Sequence, residues 1–195
     1  MRPSYCRQIE SGTLIINYRA LRPLRRKFVE AIVSLCLLAA SCQSSDLLTD
    51  ADKQAQIATM YREYAREFPT VRAITATQLQ QLQHQGNKPV LVDVRSPEEI
   101  AVSYIPGAIT KTEFEQNLES YKDKTVIVYC TIGYRSGFYA RKLQQRGIEV
   151  TNLAGSLLAW SHADGSLTDG RDKTRQVHVF GRQWQLTPES YEAVW

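Results

Sequence analysis

Two short, continuous apolar runs constrain this fold more than any other feature of the chain: Pro89-Val90-Leu91-Val92-Asp93-Val94 and Thr125-Val126-Ile127-Val128-Tyr129-Cys130. A strand with one wet face alternates polar and apolar residues, so an unbroken run marks a strand covered on both sides, as in a parallel sheet. Glu149 to Leu153 reads as a third such strand, and Val71 to Ile74 as a short extended piece. Between them the spacing becomes helical. Residues 53–67 place Ile57, Met60, Tyr61 and Tyr64 on one face, and Thr75 can cap a helix that bears Leu79 and Leu82 and stops at Gly86. Amphipathic pieces cover Pro97 to Tyr104, Lys111 to Tyr121 and Ser136 to Arg146, and a short helix runs from Gly155 through Trp160. Strands alternating with helices predict an α/β domain with a parallel central sheet flanked by helices on both faces.

With 195 residues the chain has room for one such domain and its extensions. A content of 43% hydrophobic and 23% charged residues excludes a disordered chain and a polytopic membrane protein. The formal charge of +4 is concentrated at one end. Residues 1–42 hold seven Lys and Arg against two Asp and Glu, which leaves 17 against 18 for residues 43–195. The folding part is near neutral, so no nucleic-acid partner is expected.

Residues 1–42 read as an export segment: Arg25, Arg26 and Lys27 precede an uncharged run from Ala31 to Ala40 that ends in Ser41-Cys42. Ten to twelve apolar residues fall short of the roughly 20 that a membrane-spanning helix needs. The string Leu38-Ala39-Ala40-Ser41-Cys42 resembles a bacterial lipoprotein box, which implies lipidation of Cys42, a membrane anchor and a periplasm-facing position in the cell envelope. Cleavage near Ala40 or Ser41, giving a soluble periplasmic protein, is the alternative. About two dozen residues precede Arg25, and translation is expected to start downstream of residue 20. Residues 43–70 then form a tether and an N-terminal helix, residues 71–163 the main domain, and residues 164–195 an extension. In that extension residues 164–175 read as a turn-rich linker, and the stretch with Trp184, Tyr191 and Trp195 is expected to pack back on the domain.

Processing at Cys42 would remove Cys6 and Cys36 and leave Cys130 as the one unmodified thiol. A lone thiol in an oxidising compartment forms no internal disulfide, so it is either an inert buried residue or a working one. Its position favours work. The second apolar run delivers Cys130 to the carboxyl end of its strand, where open α/β sheets bind their ligands. Thr131, Ile132, Gly133, Tyr134, Arg135 and Ser136 then lead into a helix. Such a loop turns backbone N–H groups inward, and these, with the helix dipole, favour a thiolate. Arg135 adds a planar cation suited to an oxyanion. Asp93 and Arg95, at the same sheet edge, read as scaffold, with an ion pair from Arg95 to Glu99 four residues on. Tyr129 and Trp160 read as core aromatics. His84, His162 and His178 have no ligand spacing with the cysteine, so no metal and no cofactor are expected.

Four strings occur in an order that resembles single-domain rhodanese-like proteins: Leu91-Val92-Asp93-Val94-Arg95, Ile105-Pro106-Gly107-Ala108, Cys130-Thr131-Ile132-Gly133-Tyr134-Arg135-Ser136, and Gly155-Ser156-Leu157-Leu158-Ala159-Trp160. The resemblance spans residues 71–163. It implies a sulfurtransferase in which Cys130 takes a sulfane sulfur as a persulfide from thiosulfate or another persulfide and passes it to cyanide or a small thiol. Residues 131–136 would bind the substrate, and Asp93 would support the loop by hydrogen bonding. From Cys130 to Arg135 the loop has six residues, which the resemblance links to sulfur transfer, whereas phosphatases of similar build use one more. A non-catalytic module for persulfide carriage or protein interaction, and a phosphatase or arsenate reductase, remain the rival readings. The family's usual Gly-His before Ile-Pro-Gly is replaced by Ser103-Tyr104.

Overall fold

The computed structural model describes residues 48–195, which form one compact unit. The export segment, Cys6, Cys36 and the expected lipidation site Cys42 lie outside the described residues. Five parallel strands form the sheet: β1 (Ala73–Ile74), β2 (Val90–Asp93), β3 (Ile109–Thr110), β4 (Val126–Tyr129) and β5 (Thr151–Leu153), in the order β1-β5-β4-β2-β3. The two apolar runs are neighbours at its centre, with Val90 opposite Val126 and Asp93 opposite Tyr129.

The period-two geometry of a strand sends alternate side chains to opposite faces, and the sheet consequently divides two cores. Leu91, Ile127 and Tyr129 join one cluster with Ile57, Leu79, Leu153, Leu157 and Trp160. Val92, Val126 and Val128 join the other with Phe114, Tyr139, Ala140 and Leu143. Six helices supply the covering residues: α1 (Asp50–Ala65), α2 (Ala76–His84), α3 (Pro97–Val102), α4 (Lys111–Gln116), α5 (Tyr134–Gln144) and α6 (Ser156–His162). The flanked parallel sheet expected from the sequence is thus present. Helix starts are chemically specified, since Thr49, Thr75, Ser96 and Thr110 each cap a helix through a reciprocal bond with the residue three positions on. The amphipathic piece from Lys111 to Tyr121 is divided, because α4 ends at Gln116 and a 3₁₀ turn covers Leu118–Tyr121.

Residues 164–175 are more ordered than a linker. Strands β6 (Leu167–Thr168) and β7 (Lys173–Thr174) form an antiparallel hairpin, and Tyr104 exchanges backbone hydrogen bonds with Thr168. Ser103 is fully buried and donates its hydroxyl to the carbonyl of Gln176 at 2.6 Å. The Ser-Tyr pair that replaces Gly-His therefore ties the extension to the domain. Beyond it, β8 (Gln176–His178) pairs in parallel with β9 (Glu192–Val194). Val177, Val179, Leu186 and Tyr191 lie inside the first core. Burial of such side chains stabilises by roughly 1.5–3 kcal/mol each, so the extension is structurally part of the domain.

Candidate functional site

At the carboxyl end of β4 the chain leaves the sheet at Cys130, curls through four residues and enters α5 at Tyr134. The curl needs Gly133, whose φ of +97° lies in the left-handed region. Its N–H donates to Cys130 Sγ at 3.1 Å. An amide directed at sulfur from the start of a helix stabilises negative charge there. The backbone of the loop is pinned from a second loop: Leu157 N–H and Leu158 N–H donate to the carbonyls of Cys130 and Thr131, and Cys130 N–H donates to Ser156 Oγ at 3.1 Å.

The six loop residues expected to meet substrate divide by exposure. Tyr134 is exposed and Arg135 half-buried, whereas Thr131, Ile132, Gly133 and Ser136 are buried. Ile132 packs into the first core, so only its backbone belongs to the loop. Ser136 Oγ lies 3.5 Å from Cys130 Sγ but sits closer to Asn152 Oδ1, at 2.7 Å. Asn152 Nδ2 in turn donates to Gly133 O at 2.9 Å and to the Tyr61 hydroxyl at 3.3 Å. The sequence placed Tyr61 on a helix face and Ser156 in a family string but gave neither of them, nor Asn152, a role at the site. A serine directly after Gly155 at a helix start was the one available signal.

Charge is arranged differently from expectation. Arg95 does not pair with Glu99. Its guanidinium and N–H instead supply the four hydrogen bonds accepted by Asp93, two residues away, and it also donates to the carbonyl of Ser103. Asp93 therefore braces the turn before α3 and not the cysteine loop. The reason is geometric: the bend after β2 folds Arg95 back over the strand end, whereas Glu99 points across to α5. There Glu99 takes both terminal nitrogens of Arg135 at 2.7 Å each and accepts from Thr131 at 3.2 Å. Burial works to raise the Glu99 pKa, but the Arg135 bonds, the Ser96 N–H and the charges of Arg135 and Arg95 outweigh it and bring it down to about 2. Arg135, expected to offer its planar cation to an oxyanion, is thus held in a two-pronged ion pair with Glu99.

Two segments that flank residues 71–163 in the sequence reach the mouth of the site. From α1, Tyr64 packs edge-on against Tyr134 at 5.0 Å. From the extension, Phe180 lies 5.4 Å from the Arg135 guanidinium, and His178 Nδ1 is 4.0 Å from Glu99 Oε1. Among the described residues no group of three or more His, Cys, Asp or Glu is placed to hold a metal, and no helix is long and apolar enough to cross a membrane.

A flanked parallel sheet that presents one cysteine, with the Gly133 N–H directed at its sulfur, in a loop at a helix start defines the class: an α/β domain built around a nucleophile-type loop. Residues 75–163 match the family model described as the rhodanese-like domain. A sulfurtransferase of Allochromatium vinosum is 38% identical over 79 residues, 37% of this chain and 71% of that protein. The Bacillus subtilis protein YqhL is 36% identical over 77 residues, 37% of this chain and 61% of its own length. A crystal structure of a rhodanese-like domain protein from Staphylococcus aureus is 31% identical, covers 46% of this chain and 91% of that one, and has a TM-score of 0.42. The chain belongs to the rhodanese-like family.

Proposed function

We propose that the protein is a sulfurtransferase that moves a sulfane sulfur from thiosulfate or a persulfide to a thiophilic acceptor through a persulfide on Cys130. The observation that carries this reading is the Gly133 N–H aimed at Cys130 Sγ from 3.1 Å inside a six-residue loop. In the first step the Cys130 thiolate attacks the outer sulfur of the donor. A new S–S bond forms, the donor's S–S bond breaks, and its electron pair leaves with sulfite or with the donor's thiolate. The terminal sulfur of the resulting cysteine persulfide carries the negative charge, which backbone N–H groups such as that of Gly133 stabilise. In the second step cyanide or a thiolate attacks that terminal sulfur and releases the Cys130 thiolate. No external oxidant or reductant is consumed.

The burial of Cys130, at 1% exposure, supports a second reading, in which the same persulfide is carried with slow turnover. Intact-mass measurement after incubation with thiosulfate or a small persulfide tests both. A gain of about 32 Da, one sulfur atom, that cyanide removes and Cys130→Ser never shows is the expected result. Loading without turnover would favour carriage, and no loading with any donor would overturn covalent sulfur transfer. Residues 25–42 further support a lipid anchor on Cys42 and a place in the bacterial cell envelope, facing the periplasm. Fatty-acid labelling that Cys42→Ser abolishes is the expected outcome, and labelling that survives it would remove that assignment.

A further inference from the structure

Glu99 is 3% exposed and stays ionised, so its charge needs partners at all times. Four donors meet it: Arg135 Nη1 and the Ser96 N–H at Oε2, and Arg135 Nη2 and the Thr131 hydroxyl at Oε1. Arg135 is therefore committed before any anion arrives. The Glu99 bonds first, and the nearby Cys130 sulfur to a smaller degree, raise its pKa, so the guanidinium stays charged within reach of the nucleophile. Nη2 is the prong nearer the cysteine loop, since it also donates to Thr131 Oγ1 at 3.1 Å. Turning Nη2 toward an incoming anion takes a charge-assisted bond from Oε1 and leaves a buried carboxylate underpaired, which is costly.

The C-terminal extension holds a replacement. Strand β8 lies against α3, fixed by Ser103, whose hydroxyl donates to Gln176 O and whose carbonyl accepts from Arg95. This sets His178 Nδ1 4.0 Å from Glu99 Oε1, buried and with no hydrogen-bond partner among the described residues. A lone pair facing a carboxylate would be repelled, so Nδ1 carries a hydrogen, in the neutral ring and the protonated ring alike. An unused buried donor is a cost that folded proteins seldom carry without a role. The gap is about 1 Å longer than a hydrogen bond. It stays open while Nη2 occupies Oε1, and a small shift closes it once Nη2 leaves. Phe180, two residues further on, presents its ring 5.4 Å from the Arg135 guanidinium and supports the cation away from the carboxylate.

We propose that His178 is a positioning residue that stands in for Arg135 at Glu99: when Nη2 turns to the anionic end of a sulfur donor, the His178 Nδ1–H moves onto Glu99 Oε1 and keeps the buried carboxylate paired. Nη1 remains on Oε2 throughout, and no proton changes hands. The inference rests on the sulfur-transfer reading above and adds to it a residue from beyond the family-matched residues 75–163.

Iodoacetate and iodoacetamide alkylate the same thiolate and differ by one charge, so the ratio of their rates at Cys130 reads how readily Arg135 turns to an anion. In His178→Leu the iodoacetate-to-iodoacetamide ratio should fall about tenfold, the worth of one hydrogen bond to a charged group. His178→Asn places an amide N–H where Nδ1 stands and should recover the ratio to within about threefold of wild type, which a packing role alone would not allow. The kcat/KM for thiosulfate should follow the same order, with the loss in KM. A wild-type ratio in His178→Leu, or an asparagine variant as low as the leucine one, would overturn the exchange while leaving sulfur transfer in place. The expected alkylation pattern in a protein that takes no sulfur from any donor would instead refute the sulfur-transfer reading and support the exchange with anions alone.

Discussion

Ser156 Oγ accepts the backbone N–H of Cys130 at 3.1 Å while its own backbone sits at φ +46°. A non-glycine residue in the left-handed region costs on the order of 1–3 kcal/mol. Here the cost accompanies a hydroxyl that also donates to the Leu153 carbonyl at 3.0 Å, fully buried. Ser156→Ala keeps the strain and strands the Cys130 N–H, at about 1–3 kcal/mol. Ser156→Gly strands the same group but releases the strain. Urea unfolding should therefore place the alanine variant about 2 kcal/mol below wild type and the glycine variant within about 1 kcal/mol of it. Equal losses would mean that the backbone at 156 stores no strain.

The Glu99–Arg135 pair carries a pH signature. Glu99 has its pKa lowered from 4.5 to about 2, so folding favours the ionised form. A depressed carboxylate stabilises fully above its unfolded pKa and loses that contribution as pH falls from about 4.5 through about 2. Glu99 is 3% exposed, but Arg135 is partly solvated, so the contribution is up to about 3 kcal/mol. Denaturation midpoints at pH 7, 4 and 3 should decline steeply in the wild type and more shallowly in Glu99→Gln. Parallel declines would assign the acid sensitivity to other carboxylates.

The legible parts of the molecule were those where burial or local chemistry writes directly into the residue pattern. The β2 and β4 runs could be read because both faces of their strands are covered. Thr75 was legible as a cap because its partner, Gln78, is only three residues away. The cysteine loop could be read because strand, glycine and arginine are contiguous. Contacts set by sheet order were not legible. The preference of Glu99 for Arg135, 36 residues away, over Arg95, four away, depends on β2 and β4 lying side by side. The bond from Tyr61 to Asn152 spans 91 residues and depends on α1 crossing the loop. The parallel pairing of β8 with β9 was hidden because a strand of three residues does not show which segment it pairs with.

Gly133 tests how tightly α1 closes over the loop. A Cβ at this position would lie 2.7 Å from the Tyr61 ring and 3.3 Å from the Leu153 carbonyl, at φ +97°. Gly133→Ala should therefore destabilise by about 2–4 kcal/mol and abolish sulfur loading, since the amide that faces Sγ must move. Combining it with Tyr61→Ala removes the ring clash but not the backbone strain. The double variant should remain unable to load, and recovered loading would show that the ring contact was the obstacle and not the backbone.

Ser136 has one hydroxyl proton and two neighbours that could take it. Asn152 Oδ1 is 2.7 Å away and Cys130 Sγ 3.5 Å. The orientation of the Asn152 amide is fixed by its donations to Gly133 O and Tyr61, which leave only its oxygen for Ser136. The shorter contact therefore holds the proton, and the oxygen lone pairs face the sulfur. They can accept from a thiol S–H but give nothing to a thiolate. Ser136→Ala should leave the rate of Cys130 alkylation by iodoacetamide at pH 7 within about twofold of wild type, or raise it. A fall of tenfold or more would show that the hydroxyl turns to donate to the thiolate. The assignment of its proton to Asn152 would then be wrong.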